Sequence, residues 1–260
     1  MNMLGLLLYI VIIYLLGGIS ASIIYHRILT HKAIVLQPWF EKMMVVLALP
    51  AGTPVQWVGT HRQHHLYTDV EGDPHSPNVD GFWYAHCGWY INSKNKFVCV
   101  IYALSGPFRM LFDGYWRPRN RLEYNHLAND IEEQPFYKWI SRPLNYMLCL
   151  WLYLIVLVVT VFLVWKTTGI LALWAILVIV YNLGDSVNSL GHLFGERFGD
   201  KNKSRNNSVL AFFTFGEGFH ANHHHAPHQL FPNQNTAFGV SNWIIKMWRL
   251  FGLIKRDGNV

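Results

Sequence analysis

The chain has 260 residues, 52% of them hydrophobic and only 14% charged, a balance too apolar for two ordinary soluble domains. Its net charge of +6 is scattered over segments flanking apolar runs and comes with no nucleic-acid motif, which argues against nucleic acid and for anionic lipid or an acidic protein as partner. Cys87, Cys99 and Cys149 are odd in number and widely spaced, so neither a disulfide framework nor a thiolate zinc site is expected, and the chemistry suits a reducing compartment.

The first predicted element is an uncharged run from Met1 to Tyr25, read as a span over residues 4–24. It has no basic leader or small-residue cleavage site and runs straight into HRILTH, so it is expected to be retained. A second apolar stretch, residues 43–58, is interrupted by Pro50, Gly52 and Pro54 and reads as a re-entrant or interfacial segment. Residues 61–142 are expected to form cytosolic structure. Two further spans follow, over about 144–165 and 170–190, joined by a tight hairpin near Lys166 to Gly169. Residues 191–260 complete the cytosolic cap. Near its end Trp243, Ile244, Met247, Leu250, Phe251 and Ile254 recur at helical spacing opposite Lys246 and Arg249, as in a helix lying on the membrane or packed on the cap. The expected fold is one all-α integral membrane domain over 1–260, with about three transmembrane helices and a helical cap.

Histidines drive this topology. They fall in four boxes: His26 and His31; His61, His64 and His65; Asn188 and His192; His220, His223 and His224. Nine imidazoles and one amide suffice for two metal ions, and no comparable set of carboxylates or thiolates competes. Positions 61, 64 and 65, like 220, 223 and 224, share one face of a helix. His26 and His31 do not, because five residues rotate an α-helix by about 500°; either the helix ends between them or they serve different metals. If 43–58 crossed the membrane, the first two boxes would lie on opposite sides. Ligands must converge to about 2 Å from a metal, so that segment must return. The resulting orientation puts Arg27, Lys32, Arg117, Arg119, Arg121, Lys138, Arg142, Arg197, Lys201, Lys203 and Arg205 in the cytoplasm and only Lys166 outside.

Asp69, Asp73, Asp185 and Glu217 are the carboxylates placed to accept the remaining ring N–H of a ligand, or to be loop charges and caps; Asp185 stands out because it lies in an apolar span. His75, His86, His126, His225 and His228 are left outside the ligand set.

With these boxes in place, the chain resembles the membrane fatty acyl desaturases of the delta-9 type. HRILTH looks like their first box, WVGTHRQHHLYTDVEGDPHSP their second, GFWYAHCGW the segment that follows, NSLGH their asparagine box and SRNNSVLAFFTFGEGFHANHHHAP their last. The resemblance implies two iron ions held by the nine histidines, with Asn188 reaching one through water. It also implies O2 as co-substrate, a kinked tunnel for a long acyl chain, and electrons from a ferredoxin or cytochrome b5-like carrier with its reductase. The implied substrate is an acyl-lipid, acyl-CoA or acyl-carrier protein, and the setting a bacterial inner membrane with the site facing the cytoplasm. Tunnel walls are expected from the first span, the Met43 to Trp57 segment and Trp83.

Two departures qualify it. Many members carry a span ahead of the one that ends in the first box, so a homodimer is an expected way to cover that side. Animal acyl-CoA members carry Arg-Asp before the second box, where this chain has Gly59 and Thr60. Competing readings are a related di-iron hydroxylase or acetylenase and, in another class, a histidine-rich membrane metal-binding or transport protein. Arg117, Arg119 and Arg121 offer a basic surface for an acidic carrier protein, or a solvated face near anionic lipid.

Overall fold

The computed structural model describes residues 3–119, 126–199, 203–230 and 239–258; Arg121 and Lys201 lie outside them. Helix α1 (Met3–Gly18) passes without a break into a π-helix (Ile19–Thr30), followed by β1 (Ile34–Leu36), α2 (Pro38–Leu47) and α3 (Pro54–Tyr67). Next come α4 (Phe82–His86), α5 (Lys96–Leu104), α6 (Pro107–Trp116), α7 (Asn129–Glu132) and α8 (Pro135–Ser141). The long α9 (Pro143–Ser189) is followed by β2 (Glu196–Arg197), β3 (Arg205–Asn206), α10 (Ser208–Phe213), α11 (His220–His225), α12 (Val240–Leu250) and β4 (Ile254–Asp257). The fold is thus mostly helical. It differs from an all-α one in two small antiparallel pairs, β1 with β4 and β2 with β3, the first tying the C-terminal strand beside the first histidine box.

Among the described residues, two helical stretches are long and apolar enough to cross a membrane, Met3–Thr30 and Pro143–His192. The second, at 50 residues, would be about 75 Å long if straight, far more than a bilayer core needs. It is not straight. Lys166 sits at φ 54°, ψ −138°. A Cβ on Gly169 would lie 2.6 Å from the Val161 carbonyl oxygen, whereas eight residues of straight helix separate groups by about 12 Å. The chain doubles back there, and glycine permits the close approach. Both arms pack on α1, with the Tyr9 and Trp165 rings 5.7 Å apart and Gly17 against Val180.

The break at Pro50 to Gly52 is present: α2 ends at Leu47, a short 3-10 turn covers Leu49–Ala51, and Gly52 takes φ 129° before Thr53 caps α3 by accepting from the Gln56 N–H. A second apolar element is one that the sequence reading had assigned to the cytosolic part. Helices α5 and α6 are bent by 118° into a V. Phe97, Ile101, Leu104, Phe108, Phe112 and Trp116 face outwards from it, while Arg109, Asp113 and Arg117 point inwards and are buried. The outward face of the pair is thus apolar and its inward face charged.

Helix α12 packs on the rest of the structure along one side and ends at Leu250, so that Phe251 and Ile254 of the expected face lie beyond it, Ile254 in β4. Ile244, Ile245 and Trp248 pack on the core of the π-helix and α2. Trp243 (69% exposed), Met247 and Leu250 (82%) form a separate apolar strip. Of the nine described residues among the eleven cations expected in the cytoplasm, Arg27 and Arg117 are buried, each 4% exposed. Arg117 is therefore not part of a carrier-docking face.

Candidate metal centre

Helix α3 carries His61, His64 and His65, and α11 carries His220, His223 and His224, so that each passes between two clusters. His61 and His65 join His26, His31 and His223 in one group of five; His220 and His224 join His64 and His192 in a group of four. The i, i+4 pair of each helix serves one group and the intervening residue the other. Asn188 lines the adjoining cavity, one helical turn before His192.

His26 and His31 share a group because the helix that carries them is wound more widely. In a π-helix residue i bonds to i+5, and the His31 N–H duly donates to the His26 carbonyl at 3.1 Å. The Thr30 hydroxyl donates to the Tyr25 carbonyl across the same interval at 2.8 Å. The wider winding reduces the offset of about 140° expected in an α-helix, and the helix ends at Thr30, between the two histidines, as the first alternative has it.

Within each group the Nε2 atoms approach one another closely. The separations are 2.9 Å (His26 and His223), 3.2 Å (His31 and His61), 3.1 Å (His61 and His65) and 3.0 Å (His65 and His223) in the first. In the second they are 3.1 Å (His64 and His224), 2.9 Å (His192 and His220) and 3.1 Å (His220 and His224). Metal–nitrogen bonds of about 2.1 Å at right angles separate their nitrogens by about 3.0 Å, and a tetrahedron by about 3.4 Å. Five imidazoles also exceed the four ligands of a structural zinc. The donor set fits a metal of higher coordination with an appetite for imidazole, as iron has.

Protonation chemistry agrees. Burial first, and neighbouring imidazoles second, depress the pKa of His31, His61, His65, His220, His223 and His224. Neutral rings with lone pairs this close repel unless a cation lies between them. Three carboxylates hold the outer nitrogens. Asp73 accepts from His64 Nδ1 at 2.9 and 3.0 Å and Asp69 from His192 Nδ1 at 2.9 Å. Glu217 Oε2 lies 2.7 Å from His26 Nδ1. Each therefore directs Nε2 inwards.

The loop after α3 is folded to present its two aspartates. Asp73 also accepts the Asp69 and His75 N–H groups, and Asp69 accepts the Ser76 hydroxyl, the Asn78 amide and the Lys203 N–H. Burial alone would raise Glu217, but His26, the Arg27 guanidinium and the Ser22 hydroxyl beside it hold it at about 2.

Asp185 does something else. It bonds Arg109 at 2.6 and 3.2 Å rather than a box histidine. Sequence reasoning missed that partnership, although Arg109, Asp113 and Arg117 recur every four residues inside an apolar segment, which marks one buried helical face. Of the histidines set aside, His86 bonds Ser189 and Asn182, and His228 lies 3.2 Å from the His31 carbonyl. His75 forms a further group with His64 and Asp73. A cavity runs from His26, His61 and His220 past Trp57, which stacks on His61 at 5.0 Å, to Ile13, Tyr14, Leu157 and Leu177 between α1 and α9. Leu47, Pro50 and Ala51 line it as well; Trp83 is not among its described walls and packs near Cys87 and Cys99 instead.

The profile of the family described as fatty acid desaturase matches residues 4–240. An sn-2 palmitoyl-lipid 9-desaturase of Nostoc sp. (strain 36) is 31% identical, over 97% of this chain and 80% of its own. A chloroplastic palmitoyl-monogalactosyldiacylglycerol delta-7 desaturase of Arabidopsis thaliana is 33% identical over 80% of this chain and 49% of its own. An acyl-CoA C20 Delta5-desaturase of Anemone leveillei is 34% identical, over 80% and 59% respectively. The chain thus spans about half the length of the Arabidopsis protein and under two thirds of the Anemone one. From its motifs, its paired histidine groups and the profile match over most of its length, the chain belongs to the fatty acid desaturase family.

Proposed function

We propose that the chain is an O2-dependent fatty acyl desaturase that introduces a cis double bond, of the delta-9 type, into a long acyl chain. The observation that carries this is two buried histidine groups at one end of a cavity that is otherwise largely apolar. Methylene hydrogens have no acidity for a general base to exploit, so removing them requires a metal oxidant. Two irons held by His26, His31, His61, His65 and His223, and by His64, His192, His220 and His224 with Asn188, would supply it from O2. Overall, two electrons from the substrate and two from an external ferredoxin or cytochrome b5-like donor reduce O2 to two waters.

The protein's own part is positioning. Glu217, Asp73 and Asp69 hold the rings, Trp57 closes the cavity wall beside His61, and the first helix and the α9 arms hold the acyl tail. Relatives are named for both lipid and acyl-CoA substrates, and Gly59 and Thr60 before the second box, in place of Arg-Asp, argue against acyl-CoA.

We read the chain as one membrane domain crossing three times, with α1 and the two arms of α9 as spans and every histidine box on the cytoplasmic side. Support comes from the reversal at Lys166 and from lipid-like exposure of Leu152, Leu163 and Leu171. A transport pathway finds no support, because Asp185 is engaged by Arg109. Elemental analysis of the purified, detergent-solubilised chain tests the assignment of the metal. Two irons per chain are expected, and stoichiometric zinc without iron would refute it.

A further inference from the structure

Inside the V of α5 and α6, two arginines on the same helical face are held in different ways. Arg109 is forked onto Asp185 through its two Nη atoms, has Asp113 3.6 Å from its Nε, and sits over the Tyr102 and Tyr181 rings at 4.5 and 4.3 Å. Arg117 is as deeply buried, yet its guanidinium donates no hydrogen bond among the described residues. Its contacts are Asp113 at 3.6 Å and the Tyr90 ring at 4.2 Å. Asp113 Oδ1 accepts from the Tyr102 hydroxyl, and its Oδ2, 3.6 Å from both Arg109 Nε and Arg117 Nη1, balances the charge without a hydrogen bond to either. A guanidinium on a cavity wall with no hydrogen bond of its own is placed to meet an acceptor.

Arg117 lines the same cavity as His26 and His61. The backbone leaves room for it: a Cβ at Gly52 would lie 2.8 Å from the guanidinium, and φ of 129° there suits glycine alone. The Gly52 carbonyl accepts from the Tyr25 hydroxyl at 2.8 Å, and Tyr25 immediately precedes His26 in the chain, so one tyrosine links the turn beside the guanidinium to the helix of the first histidine box.

Resting on the desaturase reading, we propose that Arg117 binds the carbonyl oxygen of the acyl ester and so fixes which methylenes reach the histidine groups. An ester or thioester carbonyl is the acceptor common to every carrier of an acyl chain, and a charged donor in a closed cavity binds it more strongly than a neutral one. A methylene chain offers no other polar handle, so this bond sets its register along the cavity. Arg117 is a binding and specificity residue; Asp113 positions it.

The test is equilibrium binding of labelled stearoyl-glycerolipid, stearoyl-CoA and octadecane to the detergent-solubilised full chain and to its Arg117→Gln variant. An Asp113→Asn/Arg117→Gln variant keeps the cluster neutral. Losing a charge-assisted bond should weaken both acyl compounds about tenfold or more and leave octadecane unchanged. In active preparations the double bond should then spread to neighbouring positions, with Arg117→Lys partly restoring a single product. Unchanged ester affinity would overturn the proposal. So would an equal loss for octadecane, or failure of both variants to fold, since Arg117 would then be a brace. An effect confined to one carrier would assign the bond to that headgroup's own oxygens instead of the carbonyl. Binding does not depend on turnover, so a wild-type chain that binds esters through Arg117 but makes no alkene would refute the desaturase reading alone.

Discussion

Replacing Asp73 with alanine should remove one metal and spare the other. Asp73 is buried and accepts the His64 ring N–H at 2.9 Å together with the Asp69 and His75 backbone N–H groups at 2.8 and 3.1 Å. His64 belongs to the group of four, while the group of five leans on Glu217 through His26. Loss of a carboxylate behind a ligating histidine costs about 10–100-fold in metal affinity. That factor is about 1.4–2.7 kcal/mol, and each orphaned buried N–H adds about 1–3 kcal/mol to the loss of fold stability. Asp73→Asn keeps an acceptor oxygen and should fall near the lower end. Chelator competition followed by iron counting should show about one iron per chain surviving in Asp73→Ala at a chelator concentration that leaves the wild type with two. Glu217→Ala should lose the other. Simultaneous loss of both irons from either variant, or loss from neither, would refute the division of ligands between two groups.

Other expectations follow the same geometry. Asp185→Ala strands Arg109 in the interior and should cost about 3–5 kcal/mol, seen as loss of folded yield, whereas Arg109→Met/Asp185→Leu should recover most of it. Gly18→Ala places a methyl 2.0 Å from the Phe215 ring; an overpacking cost of about 1–3 kcal/mol should lower the thermal midpoint of the solubilised protein. His61, His65 and His223 have folded pKa values below the usual one, so the unfolded chain binds more protons as pH drops beneath about 6.5. The iron-free protein should therefore melt at a lower temperature at pH 5 than at pH 8; the opposite slope would contradict neutral burial of these rings. Tags inserted after residues 35 and 70 should report one side of the membrane and a tag at Lys166 the other, by accessibility to an impermeant reagent.

Much of the site is legible in the sequence because i, i+3 and i+4 spacing is a local property: His61, His64, His65, His220, His223 and His224 can be read as facing a common point before any fold is known. Which ligand joins which group is not legible, because it depends on how α3 and α11 cross between the two clusters. His26 and His31 show a different limit. Their spacing argues against convergence in an α-helix, and only the wider π-helical turn removes the objection.

The apolar V of α5 and α6 was hidden because Arg109, Asp113 and Arg117 lower the hydropathy of a segment whose charges are turned inwards. Asp185 was noticed as an intramembrane charge, but its partner lies 76 residues away, beyond the reach of any local pattern.

The most direct test of the account is the fatty acid profile of a desaturase-deficient bacterial host expressing this chain or its His64→Ala variant, by gas chromatography and mass spectrometry with double bonds derivatised. The account predicts one new cis monoene with the intact chain and none with His64→Ala. The same monoene from both, or hydroxy or acetylenic acids in its place, would contradict it.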